Sequence, residues 1–308
     1  MAKIIVTGGA GFIGSHISRR LVKDKHKVTI IDNLCEGNLK NIADIRSKVK
    51  FHKKNILDLD FLYKAFNSID YVFHQAALRS VPRSVEKPIP TNKVNIEGTL
   101  NVLMAARKNK AIRVIFASSS SVYGDQKADI LKESLCTNPL SPYALSKLAG
   151  EVYLKQFYSL YDLDTISLRY FNVFGPYQDP ENEYAAVIPI FITKMLKNQT
   201  PTIHWDGKQS RDFTYIDDVV EANILAMKAK KTKGEIVNVS EGKTVSINQL
   251  FNTIQKILQT NLKPQYIPKR EGDIRKTLGN TSKAKKLINF QTKISFSQGI
   301  KKTVNWFR

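Results

Sequence analysis

The chain has 308 residues, with 48 Lys and Arg against 27 Asp and Glu, a formal charge of +21 and two cysteines. Its length is enough for one large or two modest domains with a full core, and its charge favours anionic partners: nucleotides, nucleic acid or acidic surfaces. Cys35 and Cys136 are too few for a disulfide framework, which points to a reducing cytoplasm, and no apolar run reaches membrane-spanning length.

The lysines are spread through the sequence. The densest cluster, Lys228 to Lys233, holds four and no aromatic residue, so most of the charge reads as solvated surface and no specific nucleic-acid partner is expected. Met1-Ala2-Lys3 leads straight into Ile4-Ile5-Val6 rather than into a signal peptide; that β-branched run is of the kind that forms a buried parallel strand. It enters Thr7-Gly8-Gly9-Ala10-Gly11-Phe12-Ile13-Gly14, after which Ser15 to Lys23 has helical character. Gly8 and Gly11 let the backbone turn and approach a pyrophosphate, whose charge meets the helix N-terminus, while Gly14 lets helix and strand pack closely. A second strand, Val28 to Ile31, ends in Asp32. A carboxylate there can accept both ribose hydroxyls of NAD and would repel the extra phosphate of NADP, so the expected cofactor is NAD.

Strand-helix alternation continues, which predicts an α/β fold of Rossmann type, a doubly wound parallel sheet. Phe51 to Ile56 reads as a strand, Asp60 to Phe66 as a helix, Tyr71 to His74 as a strand and Asn92 to Lys108 as a long amphipathic helix. His74 reads as a satisfied buried histidine; no second His or Cys stands at ligand spacing, and no metal site is expected. The strand Arg113 to Ala117 ends in Ser118-Ser119-Ser120-Ser121-Val122-Tyr123-Gly124, a hydroxyl cluster at the strand end where such sheets bind ligands.

Ser141-Pro142-Tyr143-Ala144-Leu145-Ser146-Lys147 reads as the start of a helix, with Ser141 as N-cap and Pro142 at the first helical position. Tyr143 and Lys147 stand four apart on one face. A cation beside a phenol lowers its pKa, which makes the pair a candidate general base toward an alcohol. Taken alone, the spacing more often marks a core tyrosine and a solvated lysine on an ordinary amphipathic helix.

After Asn172 strict alternation is lost, as expected where segments leave the sheet to cover it. Gln178-Asp179-Pro180 to Val187-Ile188-Pro189 reads as a binding loop followed by a helix, and Asp217 to Lys228 and Glu235 to Val239 as a helix and strand that return to the cofactor domain. The expected division is residues 1–171 with 213–240 as the NAD-binding domain, and 172–212 with 241–308 as a smaller mixed α/β substrate domain, with the active site in the cleft between them.

From Lys3 to about Phe290 the chain resembles the extended short-chain dehydrogenase/reductase family, and within it the sugar-nucleotide 4-epimerases. The resemblance rests on the glycine turn, Ser119-x-x-x-Tyr123-Gly124, Tyr143-x-x-x-Lys147, Arg169-Tyr170-Phe171-Asn172-Val173-Phe174-Gly175, Arg211-Asp212-Phe213 and Arg270-Glu271-Gly272-Asp273. It implies that Ser119 and Tyr143 handle the proton of a sugar 4-hydroxyl, and that Lys147 holds the nicotinamide ribose and keeps Tyr143 ionisable. Besides Gly8, Gly11, Gly14, Asp32, Tyr143 and Lys147, it implies cofactor contacts at Phe12, Ile13, Asn33, Asn55, Ile56, Gln75, Ala76, Ala77, Asn95 and Tyr170. It implies substrate contacts at Arg79, Ser80, Ser119, Ser120, Gln178, Ala186, Val187, Asp273 and Thr277; Asn172 falls on a residue of the diphosphate region, and Arg211 and Arg270 on phosphate-binding arginines, with Arg275 as a third candidate.

Dehydratases of this branch carry Asp-Glu directly after the catalytic Thr, and related decarboxylases keep the glutamate; here Ser120 and Ser121 stand there. Without a second acid or base the least demanding chemistry is reversible oxidation at carbon 4 through a transient 4-keto sugar, which is epimerisation. In the epimerases that the chain resembles, the position of Thr277 is a gate where a bulky side chain restricts the pocket to plain hexoses, and a small one admits a 2-acetamido group. Ser80-Val81-Pro82-Arg83-Ser84 and Tyr184-Ala185-Ala186-Val187-Ile188-Pro189 also resemble the epimerases of N-acetylated sugars, so the resemblance implies UDP-GlcNAc/UDP-GalNAc with some UDP-glucose activity. Two positions depart from the family. Asn55 replaces a usual Asp that contacts adenine, and Arg79 replaces a small residue beside the sugar, where it could narrow the pocket or pair with the carboxylate of a uronic acid. A UDP-uronate 4-epimerase therefore stays an alternative, with a net NAD-dependent dehydrogenase or reductase and a noncatalytic NAD-responsive protein further off. The family also implies a homodimer, built as a four-helix bundle from the helices at Asn92 to Lys108 and Tyr143 to Tyr158.

Overall fold

The computed structural model describes residues 1–181, 186–269 and 274–308. Six strands, β1 (Lys3–Thr7), β2 (Lys27–Asp32), β3 (Val49–Lys53), β4 (Tyr71–His74), β5 (Arg113–Ser119) and β6 (Asp164–Tyr170), join Glu235–Val239 in a seven-stranded parallel sheet. The spatial order is Glu235–Val239, β6, β5, β4, β1, β2, β3. Strand order therefore reverses between β1 and β4, and the crevice at their C-terminal ends is where a sheet of this kind takes a ligand.

Alternation along each strand feeds two apolar layers, as the two-residue side-chain period requires. Ile4, Val6, Ile30, Phe73, Ile115 and Leu168 belong to one layer, and Ile5, Ile31, Val72, Val114 and Phe116 to the other. The first layer continues without a break into the second half of the chain through Ile188, Phe191, Ile203, Leu250, Phe251 and Ile300. That half forms three short pairings of its own: Val173–Phe174 with Thr214–Tyr215, Ser210–Arg211 with Val245–Ser246, and Thr202–His204 with Gln265–Ile267.

Four elements differ in their bounds from the sequence reading. The first helix begins at Phe12 rather than Ser15, directly after Gly11, so its N-terminus faces the turn. β3 stops at Lys53, because the Asn55 side chain accepts the Leu57 N–H at 3.1 Å and Asp58 caps the next helix. The helix expected from Asn92 instead starts at Pro88 and passes through a π-turn, Lys93–Glu97, before continuing as Gly98–Lys108. The helix expected over Tyr143 to Tyr158 runs Pro142–Tyr161, capped by Ser141, which accepts the Ala144 N–H, and ended by Asp162 in a left-handed conformation.

Candidate active site

The glycine turn closes on itself in a way only glycine permits. Gly8 sits at φ +68°, and a Cβ there would lie 2.6 Å from the Ala76 nitrogen; a Cβ on Gly14 would lie 2.1 Å from the Gly8 carbonyl oxygen. The helix that follows carries no acidic residue in its first turn and no side-chain cap, so its first N–H groups are left for an anion. Beyond β2, each Asp32 carboxylate oxygen takes one backbone N–H, from Ala10 at 2.9 Å and from Leu34 at 2.8 Å, which leaves acceptor capacity for a pair of hydroxyls. Burial pushes the Asp32 carboxyl above its usual range, and those two N–H groups pull the other way.

These groups line one cleft of about 960 Å3. Gly8, Gly11, Phe12, Ile13, Gly14, Asp32, Asn33, Asn55 and Ile56 stand on its wall, as do Gln75, Ala76, Ala77, Arg79, Tyr143, Lys147 and Tyr170. Cys35, Glu36, Gly37 and Lys54, from the loops after β2 and β3, are on the same wall and were not singled out from the sequence. Gly37 packs so closely on Asp32 that a Cβ would meet the carboxylate at 2.8 Å, a constraint whose only trace in the sequence is a glycine five residues on.

At the other end of the cleft, the Ser119 hydroxyl, which accepts the Ser121 N–H at 3.1 Å, acts on the Tyr143 phenol, and the Tyr143 backbone N–H donates to the buried Ser84 hydroxyl at 3.1 Å. Lys147 is buried one turn on; its ammonium donates to the Ala117 carbonyl at 2.8 Å and lies 5.9 Å from the Tyr143 ring centroid. Burial pulls Lys147 down to about 7, against the raising influence of Glu151. Burial also holds the Tyr143 phenol above its ordinary value, against the Ser119 hydrogen bond and the Arg79 charge. Arg79 supplies the charge that draws the Tyr143 phenol down, while Lys147, expected from the sequence in that role, is itself desolvated.

Glu151 is fixed in turn by the Arg169 guanidinium, at 2.8 and 2.7 Å, and by the Ser118 hydroxyl. Tyr170 is held by Asn223, whose amide donates to its hydroxyl at 2.8 Å, with Gln75 at 3.2 Å; burial pushes the Tyr170 phenol up to about 12. His74 bridges the hydroxyls of Thr7 and Thr99 at 2.7 and 2.9 Å, and burial lowers it to about 3, so it is the satisfied neutral histidine expected.

A second cavity, of about 880 Å3, is lined by Asn172, Ala186, Val187 and Arg211 among the expected substrate residues, with Phe174, Phe191, Phe213 and Ile247 as apolar walls. Such a mix of flat apolar faces and a few polar groups suits a nucleobase beside a phosphate.

Four expected contacts are used differently. Asn95 lies in the π-turn, buried behind the cleft, where its amide exchanges hydrogen bonds with both backbone groups of Leu78 and donates to Ser146. Gln178 is turned inward onto the Gly175 N–H and the Val173 carbonyl. Ser80 caps the helix Val81–Glu86 by accepting the Arg83 N–H. Arg275 pairs with Asp206 at 2.9 Å and stacks on Trp205, so its fork is already engaged. Ser120 opens a short 3-10 turn after β5. Thr277 donates its backbone N–H to the Ser210 carbonyl, and its hydroxyl is buried without a partner. Arg270 and Asp273, and Tyr184 and Ala185 of the second stretch, lie outside the described residues. Among the described residues no group of three His, Cys, Asp or Glu is placed to hold a metal, and no helix is long and apolar enough to cross a membrane.

The model of the NAD dependent epimerase/dehydratase family matches residues 4–240, which include the glycine turn, Asp32, Ser119, Tyr143 and Lys147. The chain belongs to that family. It is 38% identical over 311 residues to the UDP-glucose 4-epimerase of Mycolicibacterium smegmatis, covering 99% of this chain and 98% of that one. Among solved structures it is similar to a UDP-N-acetylglucosamine 4-epimerase from Methanobrevibacter ruminantium M1 in complex with UDP-N-acetylmuramic acid, at 43% identity and a TM-score of 0.96. It is also similar to the UDP-glucose 4-epimerase of Thermotoga maritima with UDP-glucose, at 37% identity and a TM-score of 0.95; both alignments cover 99% of this chain and 98% of the other. The NAD requirement of this epimerase family fits the cleft, since the glycine cradle and the Asp32 carboxylate are what a dinucleotide needs.

Proposed function

We propose that this chain is a UDP-sugar 4-epimerase, interconverting UDP-GlcNAc and UDP-GalNAc in preference, with UDP-glucose and UDP-galactose as a secondary pair. The observation that carries the reading is the meeting, in one cleft, of a dinucleotide cradle with Tyr143 and Lys147, with Ser119 acting on Tyr143 from a strand end whose following residues, Ser120 and Ser121, offer no second acid or base. The 4-epimerases to which the chain is similar support the same reaction.

Gly8, Gly11, Phe12, Ile13, Gly14 and Asp32 would hold NAD at its pyrophosphate and adenosine ribose, and Lys147 and Tyr170 at its nicotinamide end. NAD, when bound, supplies the hydride acceptor and donor at carbon 4. Tyr143, as phenolate, removes the 4-hydroxyl proton, directly or through Ser119, and returns it after the 4-keto sugar has turned over. Lys147, while charged, orients the ribose; Asn172, Arg211 and Arg270 keep the nucleotide diphosphate in place during that turn. Thr277, small and at the gate position, supports admission of a 2-acetamido group. The segments 172–212 and 241–308 would serve as the substrate lobe and the rest as the NAD lobe.

Two free exposed cysteines support a reducing cytoplasm as the setting. A homodimer is supported by the apolar side chains left exposed on the helices beside the sheet: Val85, Ile89, Leu145 and Val152. Arg79, standing in the cleft near Tyr143, favours a UDP-uronate 4-epimerase as the second reading. Purified protein given a panel of UDP-sugars without added NAD should convert UDP-GlcNAc to UDP-GalNAc by NMR, with no net NADH formed. Stoichiometric NADH, or conversion of UDP-glucuronate alone, would overturn the primary reading.

A further inference from the structure

Glu36 and Arg79 come from different loops but stand on the wall of the same cleft. Glu36 follows β2 and Arg79 follows β4, with β1 and its glycine turn between them in the sheet; Tyr143, whose backbone N–H donates to Ser84, lies against the helix that Arg79 leads into. The Glu36 carboxylate is 3.5 Å from the Arg79 Nε, and its other oxygen accepts from Arg83 Nη1. Only 14% of the Glu36 side chain is exposed, against 45% of Arg79. A largely buried carboxylate thus pairs with an accessible guanidinium whose charge also reaches Tyr143.

We propose that Glu36 is a positioning residue for substrate specificity: by engaging Arg79 it withholds that guanidinium from the sugar and disfavours nucleotide sugars that carry a uronate carboxylate. The inference rests on the epimerase reading and decides between its two substrate classes. A guanidinium recognises a carboxylate through a planar fork of donors, and it does so best when no other anion holds that fork. A uronate brought to Arg79 would also meet the negative charge of Glu36, whereas a hexose or N-acetylhexosamine brings no charge to that point. Glu36→Gln keeps the size and an acceptor oxygen but removes the charge, leaving Arg79 to a sugar carboxylate.

The test compares UDP-glucuronate with UDP-GlcNAc in the purified NAD-loaded protein, as a ratio of kcat/KM and as equilibrium binding of UDP-glucuronate by calorimetry, a readout that survives in a variant with impaired turnover. The wild type should favour UDP-GlcNAc. Glu36→Gln should raise the glucuronate-to-GlcNAc ratio and the glucuronate affinity about tenfold, chiefly through KM. Glu36→Asp should stay near the wild type, and Glu36→Gln combined with Arg79→Ala should abolish the gain. The proposal is overturned if Glu36→Gln leaves both ratio and affinity within about twofold of wild type, if the gain persists without Arg79, or if the wild type already prefers UDP-glucuronate. A wild type that epimerises UDP-GlcNAc while Glu36→Gln changes nothing refutes this inference alone; one that epimerises no UDP-sugar refutes the functional reading as well.

Discussion

At the scale of single residues, function depends on a phenol that burial makes a weaker acid than in water. Ser119 and Arg79 act against that burial, so a substitution at either should move the ionisation of Tyr143. Tyr143→Phe should lower kcat by about 10²- to 10⁴-fold while bound NAD, read from the denatured protein, stays at wild-type level. Arg79→Ala removes a charge that favours the phenolate, so the phenol should ionise at higher pH and the acid limb of the kcat profile should move upward. An unmoved limb would show that Arg79 does not sense Tyr143. These residues differ in how far the sequence alone reveals them. Tyr143 and Lys147 are legible because four residues on a helix fix a shared face. The use of Lys147 is less legible, since its bond to the Ala117 carbonyl comes from a strand thirty positions away.

At the scale of elements, the glycine turn is the part most completely written in local sequence: strand, Gly8-to-Gly14 run, helix and Asp32 all fall within 32 residues. Gly14→Ala would drive a Cβ into the Gly8 carbonyl, and the helix would have to move off the strand. We expect a loss of about 1–3 kcal/mol in stability and a larger loss of co-purifying NAD, checked by thermal unfolding and cofactor release. Polar side chains were harder to place. Asn95 and Gln178 carry the right chemistry for ligand contacts, but each satisfies backbone groups that tertiary packing brings to it, at Leu78 and at Gly175. The π-turn that carries Asn95 has no mark in the hydrophobic period. Its neighbour Gly98 packs on Ile56, where a Cβ would come within 2.5 Å, so the bend answers to a contact distant in sequence. The Glu36–Arg79 pair is hidden for the same reason: 43 residues separate its members.

At the scale of the molecule, an apolar layer running from the sheet into the second half of the chain includes Phe174, Phe191, Phe213 and Ile247, so the walls of the second cavity are continuous with the core beneath the sheet. The exposed Leu145 and Val152 lie on the outer face of the helix that bears Tyr143 and Lys147. If that face is a dimer interface, Leu145→Asp should shift the mass in solution, measured by light scattering, from two chains toward one; an unchanged mass would place the interface elsewhere. The central claim is that Tyr143 moves only the hydroxyl proton while the carbon-bound hydrogen at carbon 4 leaves and returns with its electron pair. It is tested most directly by running UDP-GlcNAc to equilibrium in deuterium oxide without added NAD and reading carbon 4 by NMR. The account predicts UDP-GalNAc with protium retained at carbon 4; deuterium at that carbon would contradict it.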